Sequence, residues 1–143
     1  ESWDCSNIEF SGIGFGSADY CASTGGDMGK ASLAYGRGKI INAAALYNTL
    51  ALDGVWLDFR DPEGCKEETL YVKTMGFKGR FAIHPDQIKP IHDAYRPTTE
   101  ELEWAKGVLE EAKTAGSGAF KYQGKMVDAP VLAVARLIIS RED

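Results

Sequence analysis

The 143-residue sequence predicts an α/β fold built on a small parallel sheet, and three observations carry that prediction. Short apolar runs alternate with longer stretches of helical pattern, which is the order of successive βα units. Each apolar run is followed within a few residues by Asp or His. Apolar residues make up 44% and charged residues 26% of the chain, ordinary proportions for a globular protein with a real core. The length suits one main core better than two.

The first run, Ile8 to Phe15, spaces apolar side chains with glycine and reads as a strand crowded on both faces. It leads into Gly16 and then Asp19. Residues 21–35, rich in Gly, Ser and Thr, read as a loop with one irregular turn. Ile40, Ile41, Ala44, Ala45, Leu50 and Leu52 predict a helix over about 37–52, with an unusually small-residue face. Asp53-Gly54 reads as a turn and Val55-Trp56-Leu57 as a second buried strand. Asp61-Pro62 opens a helix, because Asp can cap and proline at the first turn sacrifices no hydrogen bond. That helix is expected to stop at Gly76. Arg80 to Ile83 is the third predicted strand, with a helix over 86–94 after His84-Pro85. Thr98 and Glu101 form a capping box for an amphipathic helix ending near Gly116. A hairpin around Gly124 follows, and Asp128-Ala129-Pro130 starts the last helix.

The balance of 16 Lys and Arg against 21 Asp and Glu leaves a net charge of −5. An acidic chain without a basic block has no electrostatic footprint for nucleic acid or an anionic membrane. No run approaches the roughly 18–20 apolar residues that span a bilayer, and no basic-then-apolar signal peptide opens the sequence. Cys5, Cys21 and Cys65 contain no C-x-x-C pair, so reduced thiols in a cytoplasmic protein are expected rather than a zinc site or disulfide framework.

In parallel α/β folds the working residues lie just beyond the carboxyl ends of the strands. Those ends carry Asp19, Asp58 with Asp61, and His84. Taken residue by residue, Asp19 is either a metal ligand or a side chain satisfying backbone donors in a Gly-Ser turn. Asp61 and Asp128 both fit helix caps. Asp58 stays ambiguous, and His84 before Pro85 either fixes a turn or meets a ligand.

Four segments together resemble the citrate lyase β-subunit-like (HpcH/HpaI aldolase and citrate lyase) family: FGSADY at 15–20, LDFRDPEG at 57–64, GFKGRFAIHPDQI at 76–88 and GKMVDAP at 124–130. Arg37 with the following GKIINAAAL resembles the helix after that family's metal-binding loop. The resemblance implies the C-terminal part of a TIM (β/α)8 barrel. Residues 1–95 would supply its last three βα units, and residues 96–143 a helix–hairpin–helix extension. It implies a Mg²⁺-dependent carbon–carbon lyase acting on a 3-hydroxyacyl-CoA such as malyl-, methylmalyl- or citramalyl-CoA. The products would be an acyl-CoA and an α-keto acid, glyoxylate or pyruvate.

On the same resemblance, Asp19 is one of two carboxylates holding Mg²⁺. Asp128 is the catalytic group that exchanges a proton at the α-carbon of the thioester. Ile83, His84 and Pro85 line the thioester or its pantetheine arm. A homo-oligomer, trimer or hexamer, is implied in which Asp128 serves a neighbouring subunit's site.

Two departures stand out. The family's metal-binding glutamate lies on a preceding strand, and Glu1 and Glu9 are too close to Asp19 to occupy it. The family's substrate-binding arginine also has no counterpart here. The chain is therefore expected to be an incomplete barrel, inactive alone. A non-catalytic assembly module and an aldolase for free hydroxy-keto acids stand as alternatives; GKMVDAP, a segment of the thioester branch, disfavours the aldolase.

Overall fold

The computed structural model describes residues 10–116 and 118–142. The expected start of the first strand at Ile8, together with Glu1, Cys5 and Glu9, lies outside the described residues. The chain divides into two compact units between Tyr95 and Arg96.

The first unit is a three-stranded parallel sheet with helices. Strand β1 (Gly12–Gly14) pairs with β2 (Leu50–Asp53), and β2 pairs with β3 (Gly79–Arg80), in the order β1-β2-β3. Ile13 faces Ala51, and Leu52 faces Gly79. Between β1 and β2 run α1 (Ser17–Thr24) and α2 (Lys30–Leu46); between β2 and β3 runs α3 (Pro62–Met75). A 3₁₀ turn (Pro85–Gln87) leads into α4 (Ile88–Tyr95). Phe15, Leu33, Ala44, Ala51, Val72 and Phe77 pack together as the core of this unit.

Several boundaries differ from those the sequence suggests. The Gly/Ser-rich stretch at 21–35 is mostly helical. It holds the end of α1, which stops at the left-handed Gly25, and the first turns of α2. The predicted helix over 37–52 starts earlier, at Lys30, and ends at Leu46. Its stop is a Schellman motif with asparagine in place of glycine. Asn48 adopts φ 49°, its N–H donates to Ala45 O at 3.2 Å, and Thr49 N–H donates to Ala44 O at 2.9 Å. Asparagine tolerates this left-handed conformation. Residues 50–53 are thereby released to form the second strand, and Val55-Trp56-Leu57 is the loop beyond it. The third strand is confined to Gly79–Arg80, so Phe81 to Ile83 already belong to its carboxyl-end loop.

The expected caps are present. Asp61 accepts from Gly64 N–H at 2.9 Å at the start of α3, and α3 ends at Gly76 in the left-handed region.

The second unit consists of α5 (Thr99–Ala115), a hairpin of β4 (Phe120–Tyr122) and β5 (Lys125–Val127), and α6 (Ala129–Ile139). Thr98 and Glu101 form both bonds of the capping box, at 3.1 and 2.9 Å. Gln123 and Gly124, at φ 49° and 77°, make the two-residue turn. Positive φ at both central positions matches the right-handed twist of the paired strands. Ala105, Val108, Val127 and Ala135 form the buried centre.

Candidate active site

The carboxyl ends of β1, β2 and β3 gather three kinds of environment. The end of β2 is a buried charge cluster. Asp53 is 0% exposed and receives Arg37 through two bonds, from Nε at 3.1 Å and Nη2 at 3.0 Å. Arg80 Nη2, from the end of β3, donates to the same carboxylate at 2.9 Å. Arg37 also reaches Glu68 of α3 at 2.8 Å, and Lys30 lies 3.6 Å from the other Glu68 oxygen. The remaining Arg80 donors bind Gly54 O at 3.1 Å and Thr69 Oγ1 at 3.2 Å. Burial by itself lowers the Arg37 pKa. The bonds and charges of Asp53, then Glu68, outweigh that and raise it above the usual guanidinium value. Two buried cations facing two buried anions satisfy the condition under which charge is tolerated away from water.

Sequence reasoning missed this cluster. Asp53 reads as half of an Asp-Gly turn, and Arg37 as the first residue of a helix. The available signal was Arg37 set among small and apolar residues, and Asp53 closing the run Leu50-Ala51-Leu52. Only the fold brings them together from 16 residues apart.

The end of β1 is different. Asp19 lies in the first turn of α1, exposed. Among the described residues no hydrogen bond or ion pair engages its carboxylate, so it does not satisfy donors in the Gly-Ser turn. It lines a cavity of about 370 Å³ with Gly14, Gly16, Ser17, Gly54, Val55 and Phe81. A neighbouring cavity of about 270 Å³, lined by Arg37, Trp56, Asp58, Glu68 and Arg80, shares Ser17 and Val55 with it.

At the end of β3, Ile83 is 55% exposed and its N–H donates to Gln87 Oε1 at 2.9 Å. His84 stacks on Phe59 at 4.9 Å and 27°. Its Nδ1 accepts from Asp86 N–H at 3.2 Å as it caps the 3₁₀ turn that Pro85 begins. Asp58 accepts from Arg60 N–H at 3.0 Å, and Asp61 is a cap. His84 and Phe59 thus form a stacked, half-exposed aromatic pair, and Ile83 next to His84 in the chain is also exposed. Asp128 belongs to the other unit. It caps α6, with Oδ1 accepting from Val131 N–H at 3.3 Å, and is half-buried. Cys65, fully buried, has its thiol pKa pushed up by burial against the opposing pull of Arg80. A thiol held protonated in this way is a poor nucleophile.

As a metal centre, the strand ends offer Asp19, an exposed carboxylate that no hydrogen bond or ion pair engages among the described residues. No group of three or more His, Cys, Asp or Glu side chains is placed to hold an ion among them. Mg²⁺ needs little more, since one or two protein carboxylates with water and substrate oxygens complete its shell. Asp19 fits that share. No helix among the described residues is long and apolar enough to cross a membrane.

Residues 38–142 match the family described as C-C bond lyase of the TIM-barrel fold. Citramalyl-CoA lyase of Rattus norvegicus, a mitochondrial protein, is 36% identical over 131 residues, covering 88% of this chain and 39% of its own length. A citrate lyase subunit beta-like protein of Mycobacterium tuberculosis is 39% identical over 137 residues, 91% of this chain and 50% of that protein. The crystal structure of the M. tuberculosis protein CitE with magnesium, acetoacetate and coenzyme A superposes with a TM-score of 0.75 at 36% identity. It covers 92% of this chain and 52% of that one. The chain therefore spans about half the length, or less, of the curated relatives it matches. By its match over most of its length, the chain belongs to the C-C bond lyase family of the TIM-barrel fold.

Proposed function

We propose that this chain carries part of the site of a Mg²⁺-dependent lyase that cleaves a 3-hydroxyacyl-CoA into an acyl-CoA and an α-keto acid. In this reading its sheet is the last three βα units of the barrel, and residues 96–143 are the extension. The observation that carries the reading is Asp19: a carboxylate at the carboxyl end of a parallel strand, without a partner among the described residues, opening into a cavity. Relatives support the ligand class, since CitE of M. tuberculosis binds magnesium, acetoacetate and coenzyme A in one structure and magnesium with pyruvate in another.

Asp19 would contribute one oxygen ligand to Mg²⁺, and a second carboxylate would come from outside the described residues. Bound there, the ion would supply Lewis-acid polarisation of the keto-acid carbonyl. The chain's own groups would contribute further parts of the site. Ile83, His84, Pro85 and Phe59 offer a half-exposed apolar surface against which the thioester arm can lie with loss of water. His84 is fixed in orientation by its bond from Asp86 N–H and its stacking on Phe59.

Asp128 is the group assigned to move the proton at the α-carbon of the acyl thioester. Its Oδ1 is held by the Val131 N–H, which orients the carboxylate while leaving Oδ2 for the substrate. We place it in the site of a neighbouring subunit of a homo-oligomer. Citramalyl-, malyl- and methylmalyl-CoA are the substrate candidates, and the naming of the rodent relative favours the first.

Asp128→Asn keeps the cap geometry and removes the base, so turnover should fall by about 10²–10⁴-fold while Mg²⁺-dependent keto-acid binding stays intact. Unchanged turnover removes Asp128 from the reaction. Asp19→Ala should weaken Mg²⁺-dependent binding of pyruvate or glyoxylate, measured by calorimetry; undiminished binding would count against the metal role.

A further inference from the structure

Ser17 carries a buried hydroxyl that no group among the described residues uses. It is 3% exposed and is the first residue of α1. Its side chain makes no hydrogen bond among the described residues. The sealed unpaired atoms include Arg37 Nη1 and Trp56 Nε1, but the Ser17 oxygen is not one of them. It therefore faces open space, and Ser17 lines both cavities at the strand ends, one of them together with Asp19. A buried hydroxyl with no protein partner is disfavoured unless something else completes its hydrogen bonding.

The space beside the hydroxyl is held in shape. A Cβ on Gly54 would lie 2.2 Å from Ser17 Oγ and 2.9 Å from Phe15 O, so only glycine fits there. Arg80 Nε holds the Gly54 carbonyl at 3.1 Å, and Arg80 is itself tied to the buried Asp53 at 2.9 Å. Gly54 thus cannot swing away from Ser17 without disturbing the charge cluster. The hydroxyl is presented by a rigid support two residues before Asp19.

We propose that the Ser17 hydroxyl is a ligand-binding group that donates a hydrogen bond to an oxygen of the α-keto acid held at Asp19. This rests on the cation-site reading of Asp19 given above. A rigid donor beside a single charged ligand matches the need of a small, oxygen-rich molecule, whose orientation is set by few contacts.

The test is Ser17→Ala in the full protein, titrated calorimetrically with pyruvate and with glyoxylate at saturating Mg²⁺, and with Mg²⁺ alone. Keto-acid Kd should rise by about 10- to 100-fold, the range for a hydrogen bond to a charged group. Affinity for Mg²⁺ alone should be unchanged, and the melting temperature should be unchanged or higher, because the removed hydroxyl bonded nothing. Ser17→Cys, which keeps bulk but offers only a weak donor, should give the same weakening. Unaltered keto-acid affinity in both variants overturns the proposal, as does a lowered melting temperature with Mg²⁺ affinity falling in parallel, the mark of a structural hydroxyl. Asp19→Ala separates the two readings. If it leaves Mg²⁺-dependent binding intact, the cation site falls and the Ser17 proposal with it; if only the Ser17 variants are silent, the Ser17 proposal alone falls.

Discussion

Asp53 and Asp19 stand at the carboxyl ends of adjacent parallel strands, or just beyond, and are treated in opposite ways. Asp53 is sealed, 0% exposed, and takes three hydrogen bonds from two arginines. Asp19 is exposed, lines a cavity, and has no partner among the described residues. A carboxylate whose bonding capacity is filled by guanidinium groups is structural, whatever its place on the sheet. One left open beside a pocket retains capacity for a cation or a substrate. Position at a strand end is therefore a weak guide to function, and the state of the partners is a strong one.

That contrast can be broken most forcefully at Asp53. Asp53→Asn preserves shape but leaves Arg37 and Arg80 facing a neutral amide, stranding buried positive charge. Removing one partner of a buried ion pair typically costs about 3–5 kcal/mol, so the urea midpoint followed by tryptophan fluorescence should fall sharply. A shift equivalent to less than about 1 kcal/mol, the scale of an exposed pair, would mean that the cluster is not holding the sheet ends together.

Asp19→Asn is the complementary change. It should leave the urea midpoint within about 0.5 kcal/mol, as for surface positions without partners, while Mg²⁺-dependent keto-acid binding drops. A destabilisation comparable to that of Asp53→Asn would mean that Asp19 is as much a structural carboxylate as Asp53. The smallest expected effect is Thr98→Ala in the other unit. Loss of one N-cap bond should cost about 1 kcal/mol, without altering Mg²⁺ affinity, and it calibrates how much an ordinary capping interaction contributes in this protein.

Much of the architecture is legible in residues alone. Asp61-Pro62, Thr98 with Glu101, Gly76, and Asp128 with Pro130 mark helix ends through chemistry local to a few positions, and all four behave accordingly. The middle of the first unit is less legible. Asn48 does the work usually given to glycine, so a helix and the following strand merge into one apolar stretch. Ala31 and Ser32 fall in the stretch that reads as a loop, yet α2 runs through them and on to Gly36, which packs closely on Phe15 and Tyr20; a Cβ on Gly36 would lie 2.8 Å from the Phe15 ring.

For the candidate site, the segments around Asp19, His84 and Asp128 carry the family resemblance, because each is a short, contiguous motif. What the sequence by itself determined, then, was the alternation of strands and helices, the caps, and the family. Only the tertiary structure decided which acids are occupied. Asp53 and Asp19 are each a carboxylate following an apolar run. Their difference is made by Arg37 and Arg80, which arrive from elsewhere in the chain and whose reach to Asp53 depends on the packing of α2 and β3 around β2. Ser17 and Gly54 are likewise unremarked in sequence, because a hydroxyl with no partner is a property of the space around it.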